Sequence, residues 1–429
     1  MSPRNGEVLR LPVLRGTVSS ITRNYSRISP MSNHFVEDLP LDRLNTPSFI
    51  YDEESLARLL TAFNTINQSA GVRLLYSLKA NALLGILDFL APHLAGFAAS
   101  SPFELRLAHD LHREDHCIHY NSPGLSPKEI PQVGRQCDFL SLNSIQHYRS
   151  YTPSLDSHTS LGIRINPQLS LVADNRCDPC RLGSQLGVPI SSLRASLADD
   201  ASLFNNLSGL HFHTNCESRD FADLLATAQK IRLVLPHLLD NLRWINIGGG
   251  YLFTNAQNSA SFSEAVDLLR GSSDCAVYCE PGAGLVAEAA ILLCEVVDIF
   301  ISDSQQIAIV DTTVNHLPEV LQFDTKPRLL EHDAAGPYSY VIAGCTCLPA
   351  DVFGRYSLIA PLKVGHRLVF LDVGAYSYVK MDMFNGVSLP AVYRRQQDGT
   401  ISLERHSEYW DYASRNWPNR SAILGVQPT

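Results

Sequence analysis

The chain has 429 residues, 45% of them hydrophobic and 18% charged, with a formal net charge of -9. That length suits a sizeable core and two domains, and the acidic balance argues against nucleic acid or an anionic membrane as the main partner. Ten scattered cysteines form no secreted disulfide framework and point to a reducing compartment, the cytoplasm; no uninterrupted apolar run is long enough to span a bilayer.

At the N-terminus, "VLRLPVLRGTV" is too short for a signal core and is broken by Arg10, Pro12 and Arg15. Residues 1–40 read as a flexible extension, with a transit peptide as the weaker alternative. A short strand follows at 47–51, then "EESLARLLTAFNTINQSA" with helical periodicity. From there short apolar runs alternate with helix-like stretches: "RLLYSL", "GFAAS", "HCIHY", "CDFLSL", "SLGIRI", "SGLHFH", "LRWINI" and "CAVYC". Eight such strands in βαβ order predict an α/β fold, a (β/α)8 barrel of TIM type over residues 41–285. An open doubly wound sheet is the alternative, but its early Gly-rich turn is missing. Beyond residue 285, runs such as "QIAIVDTT", "YSYVIAG" and "HRLVFLDVG" predict a C-terminal β-rich domain over 286–429, and the strand at 47–51 is a candidate member of it.

The residues just past the barrel strands are polar or glycine: Lys79, Ser100, Asn121, Asn143, Asn166, His213, Gly248 to Gly250 and Glu280. That suits the active rim of a barrel. Lys79 closes the apolar run "LLYSLK" and reads either as a snorkelling structural lysine or as a desolvated amine able to form a Schiff base. The glycines of "INIGGGYL" are either a tight turn or a backbone cradle for an anion. Glu280, in "CEPGAG", is either a turn and cap residue or a carboxylate that keeps a pyridine nitrogen protonated. His213 can stack on a cofactor ring or shuttle protons, although a lone histidine is more often structural. The pair Cys177 and Cys180 has metal-like spacing but lacks a second pair, so no metal is expected. In "AGCTCLPAD" a loop cysteine is either a proton donor or an inert thiol.

Taken jointly, the motifs "YSLKAN", "FAASSPFE", "IRINP", "DPCRLGSQLGVP", "GLHFHTNCE", "WINIGGGYL", "EPGAG", "NHLPEVL", "GCTCLPADVFG" and "GAYSYVKMDMFNG" resemble the fold-type III pyridoxal-phosphate decarboxylases. The resemblance spans about residues 46–393 and is greatest to the branch acting on carboxynorspermidine or carboxyspermidine. It implies pyridoxal 5'-phosphate as cofactor, held by Lys79, with His213 on the ring, Gly248, Gly249, Gly250 and Tyr376 at the phosphate, and Glu280 at the ring nitrogen. It further implies Cys347 as the proton donor, in a homodimer with shared active sites, and Glu217, Glu319 and Asp351 as holders of the distal amines of a small amino-acid substrate. The expected product is a polyamine. Two departures stand out: Gln185 replaces an arginine, and Ala283 replaces a polar residue after "EPG". They leave open a decarboxylase of another amino acid from a natural-product or siderophore pathway. A racemase on the same scaffold and a non-catalytic regulatory homologue are the rivals of other classes; Glu280 speaks against the first, and the intact lysine and glycines against the second.

Overall fold

The computed structural model describes residues 34–111, 113–155, 158–271 and 274–417. Residues 34–40, expected within a flexible extension, form a helix at His34–Glu37 and a turn. Phe35, Val36 and Leu39 are buried there against Ile50, Leu293 and Val369, so this segment is part of the core. The remainder of the expected extension, residues 1–33, lies outside the described residues.

The first strand, β1 (Ser48–Asp52), is buried along its whole length. Phe49 and Tyr51 face the main core while Ile50 faces the opposite cluster, as the two-residue period of a strand requires. Asp52 ends the strand and caps the next helix, Glu53–Asn67, by accepting from the backbone N–H of Ser55 at 2.8 Å.

The barrel follows: β2 (Arg73–Ser77), β3 (Gly96–Ala99), β4 (Cys117–Asn121), β5 (Phe139–Leu142), β6 (Ser160–Asn166), the two-residue β7 (Val188–Pro189) beside β6, then β8 (Gly209–His211), β9 (Trp244–Asn246) and β10 (Ala276–Cys279). Leaving β7 aside, the parallel strands neighbour one another in chain order, and pairing of β10 with β2 closes the ring. All eight predicted strands are therefore present, and the ring is closed, not an open sheet. An apolar plug of Leu75, Ala98, Trp244 and Tyr278 fills its lower interior. Gly162 and Gly209 make room for the plug, because a Cβ at either would meet the Trp244 ring at 2.3 or 1.9 Å.

The second unit is a mixed sheet ordered β15-β14-β12-β11-β1-β17-β18. Its later strands are β11 (Ala290–Ser302), β12 (Gln305–Val310), β13 (Arg328–Leu329), β14 (Tyr338–Ala343), β15 (Val352–Leu358), β16 (Arg367–Leu371), β17 (Ala391–Arg395) and β18 (Ile401–Arg405). The predicted early strand belongs here, with β1 antiparallel to β11 and parallel to β17. Strand β11 changes partners at a register shift between Val296 and Asp298: its first half is buried against β1 and β16, and its second half pairs with β12. Strands β15 and β18 carry Gly354 and a run of charges respectively, which masked them in the sequence. An ion pair from Arg394 to Glu53 at 2.5 Å clasps the sheet to the barrel's first helix, and Arg395 pairs with Asp52 at 2.8 Å across β17 and β1.

Candidate active site

A cavity of about 430 Å³ opens at the C-terminal ends of the barrel strands, between barrel and sheet. Lys79, His213, Gly250, Glu280 and Tyr376 all line it, together with Glu217 and Glu319. The loop after β2 presents the lysine, and it is clamped from two sides. Asn81 Nδ2 donates to Tyr51 Oη at 2.8 Å and to the carbonyl of Gly374 at 2.9 Å, while Tyr376 N–H donates to the carbonyl of Ala80 at 2.8 Å. Lys79 keeps accessible surface inside the cavity, but protein surrounds it. That desolvation lowers its ammonium pKa, with Glu280 opposing and Arg164 assisting.

His213 is held as a neutral ring. Its Nδ1 accepts the N–H of Gly249 at 3.0 Å, and burial, reinforced by Lys79 and Arg164, pushes its pKa down to about 3. Glu280 sits on the cavity floor. Burial opposes its ionisation, yet His119, His211 and Lys79 together hold its pKa far below the ordinary carboxylate range. His119 Nδ1 is bonded to Glu280 Oε1, and His119 Nε2 lies 2.7 Å from Ser141 Oγ. Asn246 Nδ2 lies 2.7 Å from the same carboxylate oxygen, and Asn246 Oδ1 accepts the N–H of Gly248 at 2.9 Å.

The three glycines work differently from a simple anion cradle. A Cβ at Gly248, Gly249 or Gly250 would meet the backbone oxygen of Phe212, Glu280 or Asn215 at 2.3, 2.2 and 2.0 Å, so glycine is needed for the strand ends to abut. The N–H groups of Gly248 and Gly249 are already committed, to Asn246 and His213. Only Gly250 of the three lines the cavity, joined by Gly282, Ala283 and Gly284 of the "EPGAG" turn and by Tyr376. Gly248 and Gly249, expected at a phosphate, stand outside the cavity lining and shape the turn.

Asp351, expected to hold a distal amine, stands outside the cavity lining, on the same loop as Cys347. It is buried, and its carboxylate accepts from the N–H groups of Val314 at 2.8 Å and Thr346 at 3.0 Å and from Thr346 Oγ1 at 2.5 Å. The charge is spent on holding its own loop. Cys347, exposed on that loop, likewise does not line the cavity; its N–H donates to Asn385 Oδ1 at 2.9 Å. Asp351→Ala strands those donors and is expected to cost about 3 kcal/mol, with Asp351→Asn losing less. Thermal or denaturant unfolding checks this, and an unchanged midpoint for the alanine variant would be the contrary result.

Glu319 is in the cavity wall but is ion-paired, 3.0 Å from Lys380 Nζ, and Lys380 also lies over the Tyr376 ring at 4.8 Å. Arg181 donates to Gln185 Oε1 at 2.9 Å, so the glutamine that replaces an arginine is tied to a neighbouring arginine in the cavity wall. Sequence reasoning missed His119, His211, Asn246, Ser141 and Arg164. Counting back by two from Asn121, Asn143, Asn166, His213 and Gly248 would have found all five, because alternate strand residues share a face. Arg164 is buried in the cavity wall, with no partner for its Nε among the described residues.

Buried neutral histidines also set an acid limit. His211 and His213 have pKa values depressed by burial, and His316 is likewise pushed down to about 4. In the unfolded chain each would take up a proton near pH 6.5, so stability is expected to fall as pH drops below that value, by at most about 1.4 kcal/mol per pH unit for each. Glu331, raised by burial to about 7, works the other way between that pH and its unfolded value. Urea midpoints at pH 7 and pH 5 test the balance: a lower midpoint at pH 5 is expected, and a larger drop in Glu331→Gln.

Whether the site suits a cofactor can be judged from its own chemistry. An enclosed amine, a neutral imidazole, a buried carboxylate, two glycine turns beside a tyrosine and a buried unpaired arginine nitrogen fit a phosphorylated pyridine aldehyde. On this barrel they define a pyridoxal-phosphate enzyme. The family described as "Pyridoxal-dependent decarboxylase, C-terminal sheet domain" matches residues 42–374. A carboxynorspermidine/carboxyspermidine decarboxylase of Herminiimonas arsenicoxydans is 30% identical over 86% of this chain and 99% of its own length. A carboxyaminopropylagmatine decarboxylase of Synechocystis is 30% identical over 90% of this chain and 100% of its own length. The crystal structure of carboxynorspermidine decarboxylase complexed with norspermidine from Campylobacter jejuni superposes with a TM-score of 0.77 at 26% identity, covering 87% of this chain and 100% of that one. The chain belongs to the pyridoxal-dependent decarboxylase family, and its cofactor is pyridoxal 5'-phosphate. Among the described residues no group of three or more His, Cys, Asp or Glu side chains could hold a metal ion, and no helix is long and apolar enough to cross a membrane.

Proposed function

We propose that this decarboxylase removes the α-carboxylate of an amino acid that ends in a distal amine, of the carboxynorspermidine or carboxyspermidine kind, and so makes a polyamine. The observation that carries the reading is that two carboxylates, Glu217 and Glu319, share one cavity with Lys79. The relatives that act on such substrates support it.

The bound cofactor supplies an electron sink for the pair of electrons left when CO₂ departs. The protein's part is to place and protect. Lys79, whose ammonium is made easier to deprotonate by desolvation, offers the amine that would hold the aldehyde carbon. Neutral His213 covers the ring face without adding charge, and Glu280 keeps a proton on the ring nitrogen. Gly250, the 282–284 turn and Tyr376 bound the phosphate end. Arg164 offers its unpaired Nε inside the cavity. Glu217 and Glu319 hold the distal ammonium groups, which requires Glu319 to share itself with Lys380.

Cys347 Sγ donates the proton that completes the product at its α-carbon. It does so from the partner subunit of a homodimer, since within one subunit it stands outside the cavity. All ten cysteines are free thiols, and we place the enzyme in the reducing cytoplasm.

The deciding experiment measures CO₂ release from carboxynorspermidine, carboxyspermidine, carboxyaminopropylagmatine, diaminopimelate, ornithine, lysine and arginine. Turnover is expected with one of the first two. Release from only the shorter amino acids, or Cα epimerisation without CO₂, would overturn the reading. Mixing inactive Lys79→Ala and Cys347→Ala subunits is expected to restore about a quarter of the sites by random pairing. No recovery on mixing would place the proton donor within a single subunit.

A further inference from the structure

Above the apolar plug and below the cavity, the barrel holds a buried polar layer. His119 on β4 and His211 on β8 meet edge to face at 5.1 Å, and His119 also packs on Trp244 at 5.5 Å. The two histidines differ. Among the described residues His211 has no hydrogen-bond partner at either ring nitrogen, and its Nε2 is 3.8 Å from Glu280 Oε2, too far for a bond. His119 Nδ1 meets Glu280 Oε1 and lies 2.7 Å from Asn246 Nδ2, and its Nε2 is bonded to Ser141.

We propose that His119 is a positioning residue of the decarboxylation, fixing Glu280 through a hydrogen-bonded chain from Ser141 to His119 to Glu280. The inference rests on the reading of Glu280 as the partner of the cofactor's ring nitrogen. Three observations carry it. First, if His119 donates its Nδ1 proton to Glu280, its Nε2 must accept from Ser141 Oγ, so every donor in the chain points the same way. Second, the bonds to Glu280 converge on one oxygen: His119 and Asn246 both meet Oε1, while Oε2 accepts no hydrogen bond among the described residues. The carboxylate is thus held by one oxygen and offers the other. Third, a leucine or phenylalanine would fill the same space without the cost of burying two ring nitrogens, so packing alone does not account for a histidine here.

Asn246 ties the arrangement to the glycine turn. The residue that steadies Glu280 Oε1 also receives the Gly248 N–H, and Gly249 in turn donates to His213. The floor and the ring-covering histidine are therefore parts of one hydrogen-bonded unit.

The test compares His119→Leu, His119→Gln and Ser141→Ala in the full-length holoenzyme. His119→Leu is expected to lower kcat on the order of 10²-fold, the cost of losing an aligned group, with KM moving less than about threefold. Its bound cofactor should show a changed visible spectrum and pH profile, and more turnovers should end with the cofactor aminated and the enzyme stalled. His119→Gln keeps an N–H within reach of Glu280 and should recover most of the loss; Ser141→Ala should fall between wild type and His119→Leu. Unchanged kcat, spectrum and partition in a folded His119→Leu variant would overturn the proposal. So would equal losses in the leucine and glutamine variants accompanied by an equal drop in Tm, which would mean packing alone. Histidine-labelled nitrogen NMR on the full chain stripped of cofactor reads the bond itself, through a protonated Nδ1 signal that shifts in Glu280→Gln. A missing signal overturns the proposal even in an active decarboxylase, whereas an intact bond without CO₂ release overturns the assigned activity instead.

Discussion

Lys79→Ala is expected to reduce turnover by roughly 10³-fold or more, because no other amine stands ready to hold the cofactor's aldehyde carbon or to expel the product from it. The other lysine in the cavity lining, Lys380, is committed to Glu319 and Gln322 at 3.0 and 3.1 Å. The variant should also lose covalent trapping of pyridoxal phosphate by borohydride. In the wild type that label should fall on Lys79 ahead of the exposed lysines even near neutral pH, since desolvation lowers the pKa of Lys79 and leaves more of it unprotonated. Peptide mapping after reduction provides the check. A label spread evenly over surface lysines, or a Lys79→Ala enzyme within tenfold of wild type, would remove Lys79 from the chemistry.

Glu280→Gln is expected to lower kcat by about 10² to 10³-fold while the cofactor still binds, because an amide cannot hold the ring nitrogen's proton as an anion can. The substitution preserves shape, so the apolar plug beneath should be undisturbed. It removes a charge whose folded-state pKa is depressed. Its contribution to stability is therefore present above the unfolded carboxylate value near 4.5 and lost as pH falls through and below it, so the variant should have a flatter acid limb. Single-turnover measurements separate the slowed CO₂ loss from binding. A kcat within a few fold of wild type would show that the ring nitrogen needs no anion here.

Much of this was legible before any coordinates. Period-two apolar runs separated by helical stretches define the barrel because every parallel strand is buried on both faces, and Lys79, His213 and Glu280 declare themselves by breaking that rule at strand ends. What stayed hidden has physical reasons. His119 and Asn246 lie inside strands, where a polar residue looks like noise until its cross-barrel partner is known. Gly248 and Gly249 advertise a turn, but not whether their N–H groups face a ligand or the protein. Asp351 has the charge of a substrate ligand, and only the fold shows that Val314 and Thr346 use it up. Strand β1 lies alone at the front of the sequence, its sheet partners named only at the far end.

That last feature governs how the molecule must be made. On the ribosome Ser48 emerges long before Leu293 and Ala391, the residues it pairs with, so the middle strand of the sheet waits while a whole barrel is synthesised. Pairings this distant in sequence close late and slowly. The barrel is in effect an insertion between two adjoining strands of the other domain, joined to it at Asp52 and again at Ala290. Two such tethers on neighbouring strands leave little freedom for a hinge. The cleft between the units is therefore expected to keep its width, while its rim is drawn in part from the long connection 167–187, which supplies Arg176, Arg181 and Gln185 to the lining.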